Sequence, residues 1–152
     1  MRRIGRMYIC LLLSVGCTSG YSATIRARPP NDIDETVIQE LVKQARFRGF
    51  DPVREHQRDL SSPGDVTLAS AYKKGLSESG RDSVTFDIVY TQRGSASPHL
   101  DLFIDNRAGG MNPKAKAEID GIADTCYDLL VRMWGADYVT IARGQTRASI
   151  MH

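Results

Sequence analysis

Val37, Ile38, Leu41, Val42 and Ala45 recur at the three- and four-residue steps of one helical face, and they predict a helix over 34–47. Asn31 or Asp32 is the expected cap, Asp34 and Glu35 put negative charge at the positive end, and Arg46 and Arg48 put positive charge at the other. Gly49 is a natural stop. Further on the period changes to two. Val84, Phe86, Ile88 and Tyr90 alternate with Thr85, Asp87, Val89 and Thr91, and Leu100, Leu102 and Ile104 alternate with Asp101, Phe103 and Asp105. Each run predicts a strand with one buried and one wet face. Val66 to Tyr72 is strand-like in composition, with Val66, Leu68 and Tyr72 expected to face one way. A second helix is expected from Asn112, with Pro113 at its first position, to Trp134 before Gly135. Its stripe reads Ile119, Ile122, Cys126, Leu129 and Met133. Tyr138 to Ala142 adds a last strand.

This order predicts an α+β fold in which two helices pack on one face of a mostly antiparallel sheet of three to five strands. The layout resembles that of small envelope lipoprotein domains. The region 32–143 is expected to be the single domain, 51–60 an edge strand or loop, and 144–152 a fraying polar tail. Residues 18–31 hold Ser19, Gly20, Ser22, Pro29 and Pro30 with no sustained apolar period, so 17–31 reads as a flexible tether. Ile25, between two arginines, offers at most a short edge strand.

The first sixteen residues read differently. Arg2, Arg3 and Arg6 precede an apolar run from Met7 to Val15, and small or modest side chains follow up to Cys17. That is the pattern of an export leader, and its apolar run is under half of the roughly 20 residues a spanning helix needs. Leu13-Ser14-Val15-Gly16-Cys17 resembles the lipobox of bacterial prolipoproteins. The usual leucine three places before the cysteine is shifted by one, so that Ser14 stands there. The resemblance covers the leader alone. It implies cleavage before Cys17, acylation of that residue, and attachment to a cell membrane or outer membrane with the domain facing the periplasm. Cleavage further on, near Ser19-Gly20 or Tyr21-Ser22-Ala23, is the alternative, and it also exports the domain.

Removal of the leader changes the charge. Three of the 20 basic residues precede Cys17 and none of the 18 acidic ones does, so the mature 136 residues carry 17 against 18, a formal charge of −1. Nothing in this balance supports a nucleic-acid partner or a polybasic membrane surface. Cys10 would leave with the leader. Cys126 would then be alone beside a lipid-bearing Cys17, or paired with it in a disulfide if Cys17 is free.

The residues offer little chemistry. His56, His99 and His152 have no carboxylate or cysteine at ligand spacing, so no metal or cofactor is expected. Gly109-Gly110 before a helix reads as a turn rather than a phosphate loop, and no serine stands in a nucleophile context. Asp87, Asp101 and Asp105 share the wet face of neighbouring strands, where they read as a solvated face and, less readily, as a cation site or acid pair. Val89 and Phe103 are apolar side chains on that same face. An apolar patch there suits a lasting envelope protein partner, and the acidic trio suits inhibition of a basic toxin or hydrolase cleft. Both readings are non-enzymatic.

Overall fold

The computed structural model describes residues 20–30, 33–51, 53–55, 64–76, 83–92, 97–106 and 112–146. The elements run β1 (Gly20–Ala27), α1 (Glu35–Phe47), β2 (Arg54–Glu55), β3 (Gly64–Lys74), β4 (Ser83–Gln92), β5 (His99–Asp105), α2 (Pro113–Trp134), a short 3-10 turn (Ala136–Tyr138) and β6 (Val139–Thr146). The class is α+β. Among the described residues six strands form one sheet in the order β2-β3-β4-β5-β1-β6, and every neighbouring pair is antiparallel. That is one strand more than the upper end of the expected three to five.

The extra strand is β1, which corrects the reading of 17–31 as a tether. Residues 20–27 lie in the interior of the sheet, hydrogen-bonded to β5 on one side and β6 on the other. Tyr21, Ala23, Ile25 and Ala27 alternate inward and are all buried. Ser22, Thr24 and Arg26 alternate with them. β1 therefore begins three residues after Cys17.

The helices form for the reasons their sequence suggests, with adjusted details. Asp34, not Asn31 or Asp32, caps α1: its carboxylate accepts from the Thr36 amide at 3.0 Å. Asn112 caps α2 by accepting from the Lys114 amide at 2.8 Å, and Pro113 occupies the position where an amide would go unpaired. Gly49 has φ +79°, the left-handed backbone that ends α1. The buried stripe of α1 is Val37, Ile38, Leu41, Val42 and Ala45. In α2 the stripe turns by one position near its end. Leu130 is fully buried, while Leu129 is partly covered and Met133 is 42% exposed.

These stripes join one apolar cluster with the alternate positions of the sheet. From β4 and β5 come Val84, Phe86, Ile88, Leu100, Leu102 and Ile104, each with no exposed surface. Phe50 and Phe86 meet with ring centroids 6.0 Å apart. Burial of side chains of this size contributes about 1.5–3 kcal/mol each, which places the main stability where β1, β4 and β5 face the helices. In β3 the register shifts between Thr67 and Ala69. This bulge swaps the faces. Val66 stands opposite the inward Tyr90, but beyond the shift Ala69 and Ala71 oppose the inward Ile88 and Phe86, and Tyr72 opposes the outward Thr85. Val66 and Tyr72 consequently face opposite ways, against the alternation expected of them.

The strand β6 continues through Arg143 to Thr146, where fraying was expected from Arg143 on. Arg143 is held by Asp120 and Asp124 of α2. Among the described residues no helix is long and apolar enough to cross a membrane. The leader with Cys17, His56, Gly109-Gly110 and His152 lie outside the described residues.

Candidate binding face

The side chains of β1, β4 and β5 that alternate with the core positions form a second set of rows across the sheet. One row pairs Val89 with Asp101 and Asp101 with Arg26, and the next pairs Asp87 with Phe103 and Phe103 with Thr24. Arg26 was read as part of a spacer, and its partner Asp101 as a solvated carboxylate. Neither holds. Arg26 donates side-on to Asp101, Nε to Oδ1 at 2.8 Å and Nη2 to Oδ2 at 3.1 Å. The hydrogen bonds to Asp101, followed by its charge, raise the guanidinium's hold on its proton despite partial burial. His99 approaches the same carboxylate, with Nε2 3.3 Å from Oδ2. Asp101 keeps only 3% of its surface exposed. His99 thus has a carboxylate partner two residues along its own strand, a spacing that brings side chains to the same face.

Around this cluster lies a depression of about 360 Å³ lined by Arg26, Val89, Thr91, His99, Asp101 and Phe103, with Asp65 at its margin. Three of the five candidate residues, Val89, Phe103 and Asp101, are therefore brought together. Val89 and Phe103 are partly buried, diagonal neighbours across the β4–β5 pairing. Asp87 stands beside Phe103 in register. Asp105 is at the far end of β5, 8% exposed, and accepts from the Thr85 hydroxyl at 3.1 Å. The three aspartates do not make a solvated acidic surface, because Asp101 and Asp105 are buried and engaged. Among the described residues no group of three or more His, Cys, Asp and Glu is placed to hold a metal ion, and no nucleophile is hydrogen-bonded to His99.

Two further clusters secure the frame of this face. At the β1–α2 contact the Tyr21 hydroxyl donates to Asp120 at 2.7 Å, Lys116 and Arg143 pair with the same carboxylate, and Lys116 lies 4.6 Å above the Tyr21 ring. Desolvation pushes the Asp120 carboxyl up, but hydrogen bonds from Lys116 and Tyr21 and the charges of Lys116 and Arg143 outweigh it, so its pKa falls below the ordinary value. The Tyr21 phenol moves the other way, raised by burial and by Asp120. On the α1 side the Arg48 guanidinium crosses α2 over Gly121, where a Cβ would come within 2.6 Å of it, and donates to Thr125 Oγ1 at 3.1 Å. Cys126, next along α2, is a free thiol with no exposed surface, and burial pushes its pKa up to about 12.

No family model matches the chain, and neither a characterised protein nor a solved structure shows significant similarity to it.

Proposed function

We propose that this protein is a lipid-anchored, non-catalytic component of the cell envelope that binds another envelope protein through the sheet face carrying Val89 and Phe103. In this reading both helices cover the opposite face, and Cys17 bears the lipid. The observation that carries the binding surface is the shared depression, in which two apolar side chains flank a nearly buried carboxylate held by Arg26 and His99. Such a surface offers a desolvated apolar anchor beside a fixed polar group, the combination from which binding hot spots are built. Arg26 is committed to Asp101 through Nε and Nη2, while its side chain is still 45% exposed. Its remaining edge is oriented in advance to meet a carboxylate or carbonyl of a partner.

The test is the paired substitution Val89→Glu with Phe103→Glu, followed by affinity purification from solubilised membranes. Loss of a partner that co-purifies with the wild type, with the thermal transition almost unchanged, supports the reading. A large fall in the transition temperature would show that this face is core, and an unchanged set of co-purifying proteins would place the interaction elsewhere.

A further inference from the structure

The two edges of the sheet are built differently. Among the described residues β2, at one edge, is two residues long and consists of the exposed Arg54 and Glu55, whereas β6, at the other, runs for eight residues in unbroken register with β1. Short, charged edge strands discourage pairing with another chain. β6 contains no proline, no lysine and no bulge, and its one charge, Arg143, is engaged by Asp120 and Asp124 of α2.

The ladder to β1 shows which groups this edge offers. The Arg28 amide donates to the Tyr138 carbonyl at 2.9 Å, and hydrogen-bonded pairs recur at every second residue of an antiparallel ladder, so Thr140, Ala142 and Gly144 turn their amides and carbonyls to β1. Ile141 and Arg143, between them, point theirs to the outer side, where no strand stands among the described residues. Thr140, Ala142, Arg143 and Gly144 are exposed, and a Cβ at Gly144 would meet nothing within 4 Å. The face of α2 that holds Arg143 through Asp120 and Asp124 continues at Tyr127 and Val131, both only partly buried, as is Ile141 on the same side of β6.

We infer that β6 pairs antiparallel with β6 of a second copy across a two-fold axis at Ala142, joining the two six-stranded sheets into one. The strand's own sequence favours this occupant and this register. Opposite residues must both turn their backbone groups outward or both turn them to β1, so the axis passes through a residue, and the longest overlap comes with the axis at Ala142 or Arg143. An axis at Arg143 sets like charges directly opposite, which is unfavourable. At Ala142 it sets Ala142 against Ala142 and Thr140 against Gly144 on one face, and Ile141 against Arg143 on the other. Ile141 and Arg143 of each copy then exchange amide-to-carbonyl hydrogen bonds with Arg143 and Ile141 of the other. The same register brings Tyr127 toward the Arg143–Asp124 pair of the second copy, where Asp124 is 63% exposed and accepts from a phenol. The paired molecule presents both depressions around Asp101 on one continuous face. This pairing uses neither Val89, Phe103 nor the lipid, so it stands or falls apart from the reading above.

The whole chain carrying Ala142→Cys is expressed in its host, and intact cells are treated with a mild thiol oxidant before a non-reducing gel. Opposite residues of a non-hydrogen-bonded pair have Cα atoms about 4.5 Å apart, within disulfide reach. The expected result is a disulfide-linked pair of copies for Ala142→Cys and none for Thr140→Cys, whose thiols would lie roughly 14 Å apart. The wild type, with Cys17 and the buried Cys126, is the blank. In a second arm two differently tagged copies are co-expressed. They should co-purify as wild type, separate when both carry Ala142→Lys, and co-purify again when one carries Ala142→Lys and the other Ala142→Glu. Ala142 is exposed, so the thermal transition of each variant stays unchanged. Absence of the linked pair at 142 with co-purification indifferent to these charges overturns the pairing, and equal cross-linking at 140 and 142 overturns the register on which it rests. A link from 142 to a different protein gives the edge to a foreign strand and overturns it as well.

Discussion

Cys126 gives the sharpest physical test of the core, because replacing it should reverse the order of stability between neutral and alkaline pH. Its thiol is fully buried, and its pKa is raised from 9.0 to about 12, with burial outweighing the nearby Arg48 charge. The unfolded chain therefore releases this proton above about pH 9, while the folded chain keeps it until about pH 12. The associated stability is fully present below the lower value and declines as pH rises. At pH ~10.5 the loss comes to about 2 kcal/mol, since each pH unit in this window costs about 1.4 kcal/mol. Cys126→Ala removes the titration and leaves a small cavity, at a cost of roughly 1 kcal/mol near neutral pH. The variant should accordingly be the weaker protein at pH ~7.5 and the stronger one at pH ~10.5, by about 1 kcal/mol each way. Urea unfolding of both proteins at the two pH values reads this directly, and the tyrosines cancel in the comparison. Parallel pH curves for wild type and variant, or maleimide labelling of the native thiol, would refute the placement of Cys126 in the core stripe.

Three other outcomes test particular contacts. A chain starting at Gly20 should keep the thermal transition of the longer one, whereas deletion through Ala27 should abolish cooperative unfolding, because β1 pairs with both β5 and β6. Leu130→Ala should cost roughly 2–5 kcal/mol in denaturant unfolding and Leu129→Ala less than about 1 kcal/mol, since only Leu130 is fully enclosed. The Asp120 carboxyl is held below its ordinary pKa by Lys116, Tyr21 and Arg143, so its stabilisation is present above the unfolded value of 3.8 and is lost as pH falls through the lower folded value. The stability gap between wild type and Asp120→Asn should shrink on acidification below about pH 4 in chemical unfolding curves.

The parts of the fold that were legible in the sequence are those where large apolar side chains keep a clean period. Val84, Phe86, Ile88 and Tyr90, like Val37 to Ala45, announce a face because most inward positions are bulky and most residues between them are polar. β1 has the same period of two, but its inward positions include Ala23 and Ala27, and Ser19, Gly20, Pro29 and Pro30 around it suggest a spacer. Alanines bury well only where a close partner fills the remaining volume, and α2 does this across β1. That partner is nearly a hundred residues away in sequence. The bulge in β3 was hidden for a related reason, since Leu68, Ala69 and Ala71 are all buried and local alternation cannot say which residue is the extra one.

The candidate face was legible only as a list of outward positions. Val89, Phe103 and Asp101 were placed on it by alternation, and they share its depression. Arg26 was missed because recognising it requires the β1–β5 register, which joins residues 75 apart. With that register, Asp101 changes from a solvated carboxylate to a nearly buried one paired with Arg26 in the depression. The His99–Asp101 spacing was available in the sequence, since residues two apart on a strand share a face.

The lipid on Cys17 is the claim on which the envelope reading depends. Mass spectrometry of the mature amino-terminal peptide from cells expressing the whole chain tests it most directly. The expected product is a peptide that begins at Cys17 and carries lipid on sulfur and acylation on its amino group. A mature terminus that begins elsewhere, or at an unmodified Cys17, would contradict it.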